Sequence, residues 1–192
     1  MKKKTVVLLL ALILLSTGVL STAAYFTTEG TAHNVITSGK VSIKVIEKYD
    51  TGSGEADFPQ EPVSGVMPGS DQSKIVTVKN TGRNSAWVRV ALNIQASDPD
   101  GQKVIIPRGA ISVEILEGWV DGHDGWYYYE TPLEAGATTQ PAFESVHFSE
   151  DLDNAFKNST VTVKVLAQAV QDTNNGIPGG GTVADVVGWP DT

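Results

Sequence analysis

The chain has 192 residues, a formal net charge of -8, three histidines and no cysteine. So acidic a protein repels nucleic acid and anionic membranes, which argues against both as partners. Without cysteine there is no thiol nucleophile, thiolate metal site, lipid-modified N-terminal Cys or disulfide, so an exported form must be held by its core alone and suits a monoderm bacterial exterior.

The N-terminus reads MKKK and then VVLLLALILLSTGVL, a basic region followed by an apolar run that ends in small residues. That order predicts a signal peptide over residues 1–24. Thr22, Ala23 and Ala24 supply the small side chains a signal peptidase needs at its subsites, so cutting after Ala24 releases a chain beginning at Tyr25. Its rival is an uncleaved anchor, since residues 5–24 are just long enough to span a bilayer at about 20 residues. Ser16, Thr17, Gly18, Ser21 and Thr22 weaken that span, and membrane contact is expected only through the uncleaved signal. Cleavage also removes Lys2, Lys3 and Lys4, which leaves the mature chain still more acidic.

Residues 25–40 are mostly polar, with apolar knobs at Tyr25, Phe26, Val35 and Ile36. Such a segment either adds as a strand to a neighbouring copy or folds back as the first strand of its own domain. Next comes a sandwich domain over residues 41–171. Val41, Ile43 and Val45 mark its first strand, SKIVTVKN (73–80) a second, and Val88, Val90, Leu92 and Ile94 a third with strict alternation. Ile111, Val113 and Ile115, WYYYE (126–130), FESVHF (143–148) and the alternating run from Val161 to Ala169 bring the set to seven, with KVII (103–106) as a short eighth.

Turn residues separate these strands, including Pro68-Gly69, Asn80-Thr81-Gly82, Asp98-Pro99-Asp100-Gly101 and Asp121-Gly122. The fold class is therefore all-β, an antiparallel β-sandwich of jelly-roll or immunoglobulin-like topology, between which periodicity does not choose. One short helix is expected over 149–157, with Ser149 as N-cap and Leu152, Ala155 and Phe156 on one face. TGSGEADFPQEPVSG (51–65) reads as a long surface loop. Residues 172–192 form a Gly-rich tail whose patch Val183, Val186, Val187 and Trp189 is either one docking helical turn or a frayed end.

Catalytic chemistry finds little to stand on. His33, His123 and His147 are scattered, and no H-E-x-x-H pair exists to hold zinc. SDPDGQ (97–102) and VDGHDGW (120–126) resemble fragments of calcium loops, yet neither has the closing Glu, and Asx turns explain them more cheaply. No metal, cofactor or enzymatic activity is expected. Trp119, Trp126 and Tyr128 are the candidate ligand aromatics: either a platform for sugars on an adhesin or carbohydrate-binding module, or rings packed across strands.

The order T-A-A-Y-F-T at 22–27, then Ala32, Asn34, Thr37 and Gly39 before an alternating strand with Glu47, resembles the export signal of the camelysin and TasA family. M-P-G-S at 67–70, IVTVKNTGRNSAWVRV, DGWYYYETPLEAGATTQPAF and VTVKVLAQAVQ extend the resemblance over nearly the whole chain. It implies a jelly-roll sandwich, processing by a dedicated signal peptidase and secretion to the surface or biofilm matrix of a Gram-positive bacterium. In several members it also implies assembly into fibres, here by self-association or with related matrix subunits. Some relatives are described as metallopeptidases, an activity for which this chain has no zinc motif.

Overall fold

The computed structural model describes residues 26–30, 34–37, 41–59, 63–152, 156, 158–173 and 175–190. The predicted signal peptide, its cleavage residues Thr22, Ala23, Ala24 and Tyr25, and His33 lie outside them. Among the described residues no helix is long and apolar enough to cross a membrane.

Strands dominate. In chain order they are β1 (Phe26–Gly30), β2 (Asn34–Thr37), β3 (Ile43–Asp50), β4 (Glu55–Asp57), β5 (Val63–Val66), β6 (Ser70–Ser73), β7 (Ile75–Asn80) and β8 (Ala86–Ser97). After them come β9 (Lys103–Val104), β10 (Ile111–Ser112), β11 (Trp119–Asp121), β12 (Tyr127–Tyr129), β13 (Ser145–Phe148) and β14 (Thr160–Gln171). The main sheet runs β11-β12-β8-β14-β1-β5, with β2 also on β14 and β9 on β8. Two smaller sheets, β4-β3-β7 and β6-β13-β10, join into a second layer. The segment running into β13 bonds along β7, with Ala142 N–H donating to Val76 O at 2.8 Å and Val76 N–H to Phe143 O at 3.1 Å.

The core fills the space between these layers, as alternation dictates. Val88 and Val90 of β8 and Val161, Val163, Val165, Ala167 and Ala169 of β14 meet Val45, Val76, Val78, Val146 and Phe148 from the other layer. The fold is thus the all-β sandwich that the period-two runs predict. Asn80, wholly buried, shows why a polar residue closes β7: its Nδ2 donates to Asn84 O and Leu133 O, both at 2.8 Å, while its Oδ1 accepts the Gly82 N–H at 2.8 Å. With every polar atom partnered, the side chain pins the β7–β8 turn to the segment at Leu133.

One expectation needs correction. Residues 51–65 are not one loop, because β4 pairs with the edge of β3 and β5 with β1, supplying backbone partners that a polar sequence does not advertise. The helix expected over 149–157 falls partly outside the described residues. At its start there is a turn, with Leu152 N–H donating to Ser149 O at 3.2 Å, and Leu152 and Phe156 are both buried. Phe156 itself is in 3-10 conformation, and a further 3-10 turn lies at Val183–Asp185, in the tail.

Candidate functional site

Two sites on the main sheet collect what the sequence singled out. One is the free side of β14. Along its other side β14 pairs antiparallel with β8 at twelve positions, which makes this strand pair the spine of the sheet. On the free side lies the N-terminal segment, running parallel: β1 from Thr27 to Gly30 beside Thr160 to Val163, and β2 from Asn34 to Thr37 beside Leu166 to Ala169. Phe26, Val35 and Ile36 are therefore strand residues, folded back on their own domain. This pairing is built from backbone groups, which every copy of the chain carries alike.

The second site is the outer face of the same sheet. Alternation sends Trp87 and Arg89 of β8 and Gln168 and Val170 of β14 away from the core, yet all four are buried. The tail covers them. Val183 and Val186 pack with Trp87, Tyr128 and Val170 into a second apolar cluster, flanked by Val120, Trp126, Ala184 and Trp189. Asp185 holds the turn in shape, its Oδ2 accepting the Thr182 N–H at 2.7 Å. At Gly188 the backbone has φ 84°, and a Cβ there would stand 3.4 Å from Val170, so close approach and left-handed conformation both call for glycine.

At the centre sits Arg89. Its guanidinium lies between two indoles, 4.1 Å from the Trp126 ring and 4.5 Å from that of Trp189. In its plane, Nε and Nη2 donate to Gln168 Oε1 at 2.9 and 2.6 Å, and Nη1 to Tyr128 Oη at 3.1 Å. The planar fork is filled edge-on while both faces are stacked, a fit open to arginine and not to lysine. Tyr128 passes the contact on, donating to Asp124 Oδ2 at 2.7 Å. Gly122 makes room for that ring, since a Cβ would lie 2.4 Å from Tyr128 Cε2. Gln168 Nε2 donates to Pro190 O at 3.2 Å, and Trp189 Nε1 to Val186 O at 2.7 Å, so the tail's end is bound into the network.

Asp124 reports on this arrangement. Burial pushes its pKa up, but hydrogen bonds from the Tyr128 hydroxyl and the Trp126 N–H, together with the Arg89 charge, outweigh it and hold the carboxyl below its ordinary value. A depressed carboxylate stabilises the fold above its unfolded pKa and loses that contribution as pH falls through the folded value. Tail protection, read by proteolysis within the Gly-rich stretch, is therefore expected to weaken below about pH 4, near the unfolded carboxylate pKa. In Asp124→Asn that acid step should disappear. An unchanged step in the variant would assign it to other carboxylates.

Of the three ligand aromatics, Trp126 and Tyr128 share the outer face and Trp119 does not. Trp119 is buried in the main core, tilted against Tyr129 with ring centres 5.1 Å apart and Nε1 donating to Gln140 O at 3.0 Å. Tyr128, one residue from Tyr129, points to the opposite side beneath the tail, and Trp126 is occupied by Arg89. Sequence reasoning missed Arg89 and Gln168. The signal was there: Trp87 and Val170 are apolar at positions that alternation assigns to the solvent face, which marks that face as covered.

The Asp-rich turns use their carboxylates locally. Asp98 Oδ1 accepts the Asp100 and Gln102 N–H groups at 3.0 and 2.7 Å, and Asp121 Oδ1 accepts the His123 N–H at 2.8 Å. Among the described residues no three acidic or histidine side chains converge as metal ligands. His147 stands exposed on its strand beside Asp71, with Nδ1 at 2.9 Å from Oδ1. An open groove of about 620 Å³, lined by Asp50, Glu55, Asp71, Ser73 and Glu144, lies on the second layer. Comparison with protein-family models, curated proteins and solved structures finds no match.

Proposed function

We propose that this chain is a secreted, non-enzymatic structural protein of a Gram-positive cell surface or extracellular matrix, of camelysin and TasA type, assembling by exchange of its N-terminal strand. The observation that carries the reading is the parallel seat of β1 and β2 along β14. A segment that becomes a chain end after signal cleavage fills one side of the strand at the centre of the sheet through backbone bonds. The same seat accepts the same segment from another copy, because the ladder carries no information about which chain the strand belongs to. Exchange in one direction leaves an empty seat at one end and a free strand at the other, so it propagates rather than closes. The resemblance of residues 22–39 to a dedicated export signal supports the secreted location, and the acidic charge supports a partner that is neither nucleic acid nor anionic membrane.

Electron microscopy of the purified, signal-cleaved protein tests this. The secreted chain is expected to begin at Tyr25, or within a residue of it, and to form filaments whose number rises with protein concentration. A mature chain that retains residues 5–20, or one that stays monomeric at every concentration, ends the proposal.

A further inference from the structure

The end of the core nearest β4 holds a buried ion pair with no part in the assembly described above. Lys74 Nζ stands 3.0 Å from Glu47 Oε1, with side-chain exposures of 3% and 7%. The approach lies outside the angles of a good hydrogen bond, and among the described residues neither atom has another hydrogen-bond partner. An ammonium has three donors, and burial leaves most of them without a protein acceptor among the described residues. Buried pairs are tolerated when further hydrogen bonds complete them, and this pair lacks those bonds.

The surroundings are buried and fixed. Glu47 lies opposite Val76 in the β3–β7 ladder, which places Lys74, two residues earlier, diagonally across on the same face. Phe58, itself buried, covers the pair with its ring centre 3.9 Å from Nζ. That ring is positioned by the Phe58 N–H, which donates to Glu47 O at 3.0 Å, and by edge contact with Tyr49. Burial pulls the Lys74 pKa down against the opposing charge and contact of Glu47, which favours the neutral amine that a nucleophile requires.

From this geometry we infer that Lys74 and Glu47 condense into an intramolecular amide that staples β3 to the start of β7. One proton passes from the ammonium to the carboxylate, giving an amine beside a carboxylic acid. The amine lone pair attacks Cδ, the Nζ–Cδ bond forms, one Cδ–O bond breaks, and the oxygen leaves as water with the hydroxyl hydrogen and one hydrogen from nitrogen. No oxidant, reductant or further reactant enters. Holding the two groups in contact removes the entropy of encounter, and a site closed by Phe58 keeps the expelled water from returning. The product has one N–H and one C=O in place of two charges, which removes the cost of keeping two incompletely hydrogen-bonded charges buried. It also gives a chain without cysteine a covalent closure between residues 47 and 74, which limits its unfolded states much as a disulfide does.

Mass spectrometry of the mature protein decides the matter. The intact chain is expected to be lighter than its sequence by one water. Trypsin should release Val45–Lys48 and Tyr49–Lys79 as a single joined species, uncut after Lys74. In Lys74→Arg, which keeps the charge without offering a free amine, trypsin should instead cut after position 74 and release residues 45–48, 49–74 and 75–79 as three separate pieces. Asp-Gly pairs at 100–101, 121–122 and 124–125 also lose water, so a deficit mapped to them, or a full sequence mass, overturns the inference. Filament formation is not the readout here, and either proposal can fail without the other.

Discussion

Deleting residues 25–37 from the mature protein is expected to abolish concentration-dependent assembly while leaving the sandwich folded and measurably less stable. The deletion strips β14 of its parallel neighbours at Thr160–Val163 and Leu166–Ala169 but leaves its twelve-position pairing with β8 intact. Backbone hydrogen bonds contribute about 1 kcal/mol net each, and ordering a released segment costs about 1–2 kcal/mol per residue, so the net loss is modest. Adding the peptide YFTTEGTAHNVITSG should then raise the melting temperature of the truncated protein in proportion to the logarithm of its concentration, since it binds only the folded state. The same peptide added to the intact mature protein should cap growing assemblies. Should the truncated protein unfold, ignore the peptide, and derive from a parent that is monomeric throughout, β1 and β2 are simply the domain's own first strands. The filament reading then goes.

That seat was only half legible in the sequence. The alternation of β8 and β14 announces two half-buried strands, because each buries one face against a single opposing layer. Parallel pairing of residues 27–30 and 34–37 leaves no such signature, since its partner is far away in the chain and its register is set by the backbone ladder. β4, β5 and β11 escaped for a related reason: each has only three or four residues, too few for a period to show, and each exists because a neighbouring strand offers an edge. Asn80-Thr81-Gly82 was legible as a turn, though not as the anchor to Leu133. At the outer face the period itself misled. It assigned Arg89 and Gln168 to solvent, and only the apolar Trp87 and Val170 beside them hinted that the Gly-rich tail returns to cover them.

Replacing Arg89 by Ala is expected to have the largest single-residue effect on stability, about 3 kcal/mol, because several costs fall together. Two indole stacks are lost, Tyr128 loses its neighbour in the plane, and Gln168 Oε1 is left buried without the two donors that satisfied it. For a chain of this size such a loss lowers the melting temperature by roughly 10 °C. Arg89→Lys should recover only a minor part, since an ammonium keeps the charge but cannot fill a bidentate, doubly stacked slot. The same slot explains why the tail docks. Trp189 contributes the upper wall, so Trp189→Ala alone should free the tail for cleavage in the Gly-rich stretch, at a smaller cost in global stability. If Arg89 is what holds the tail down, the two substitutions act on one contact. The double variant should then be scarcely less stable than Arg89→Ala, with a coupling well above the few tenths of a kcal/mol typical of independent sites. Additive effects would instead mean that Val183 and Val186 anchor the tail without help from the guanidinium, leaving Arg89 to brace β8, β12 and β14 beneath it.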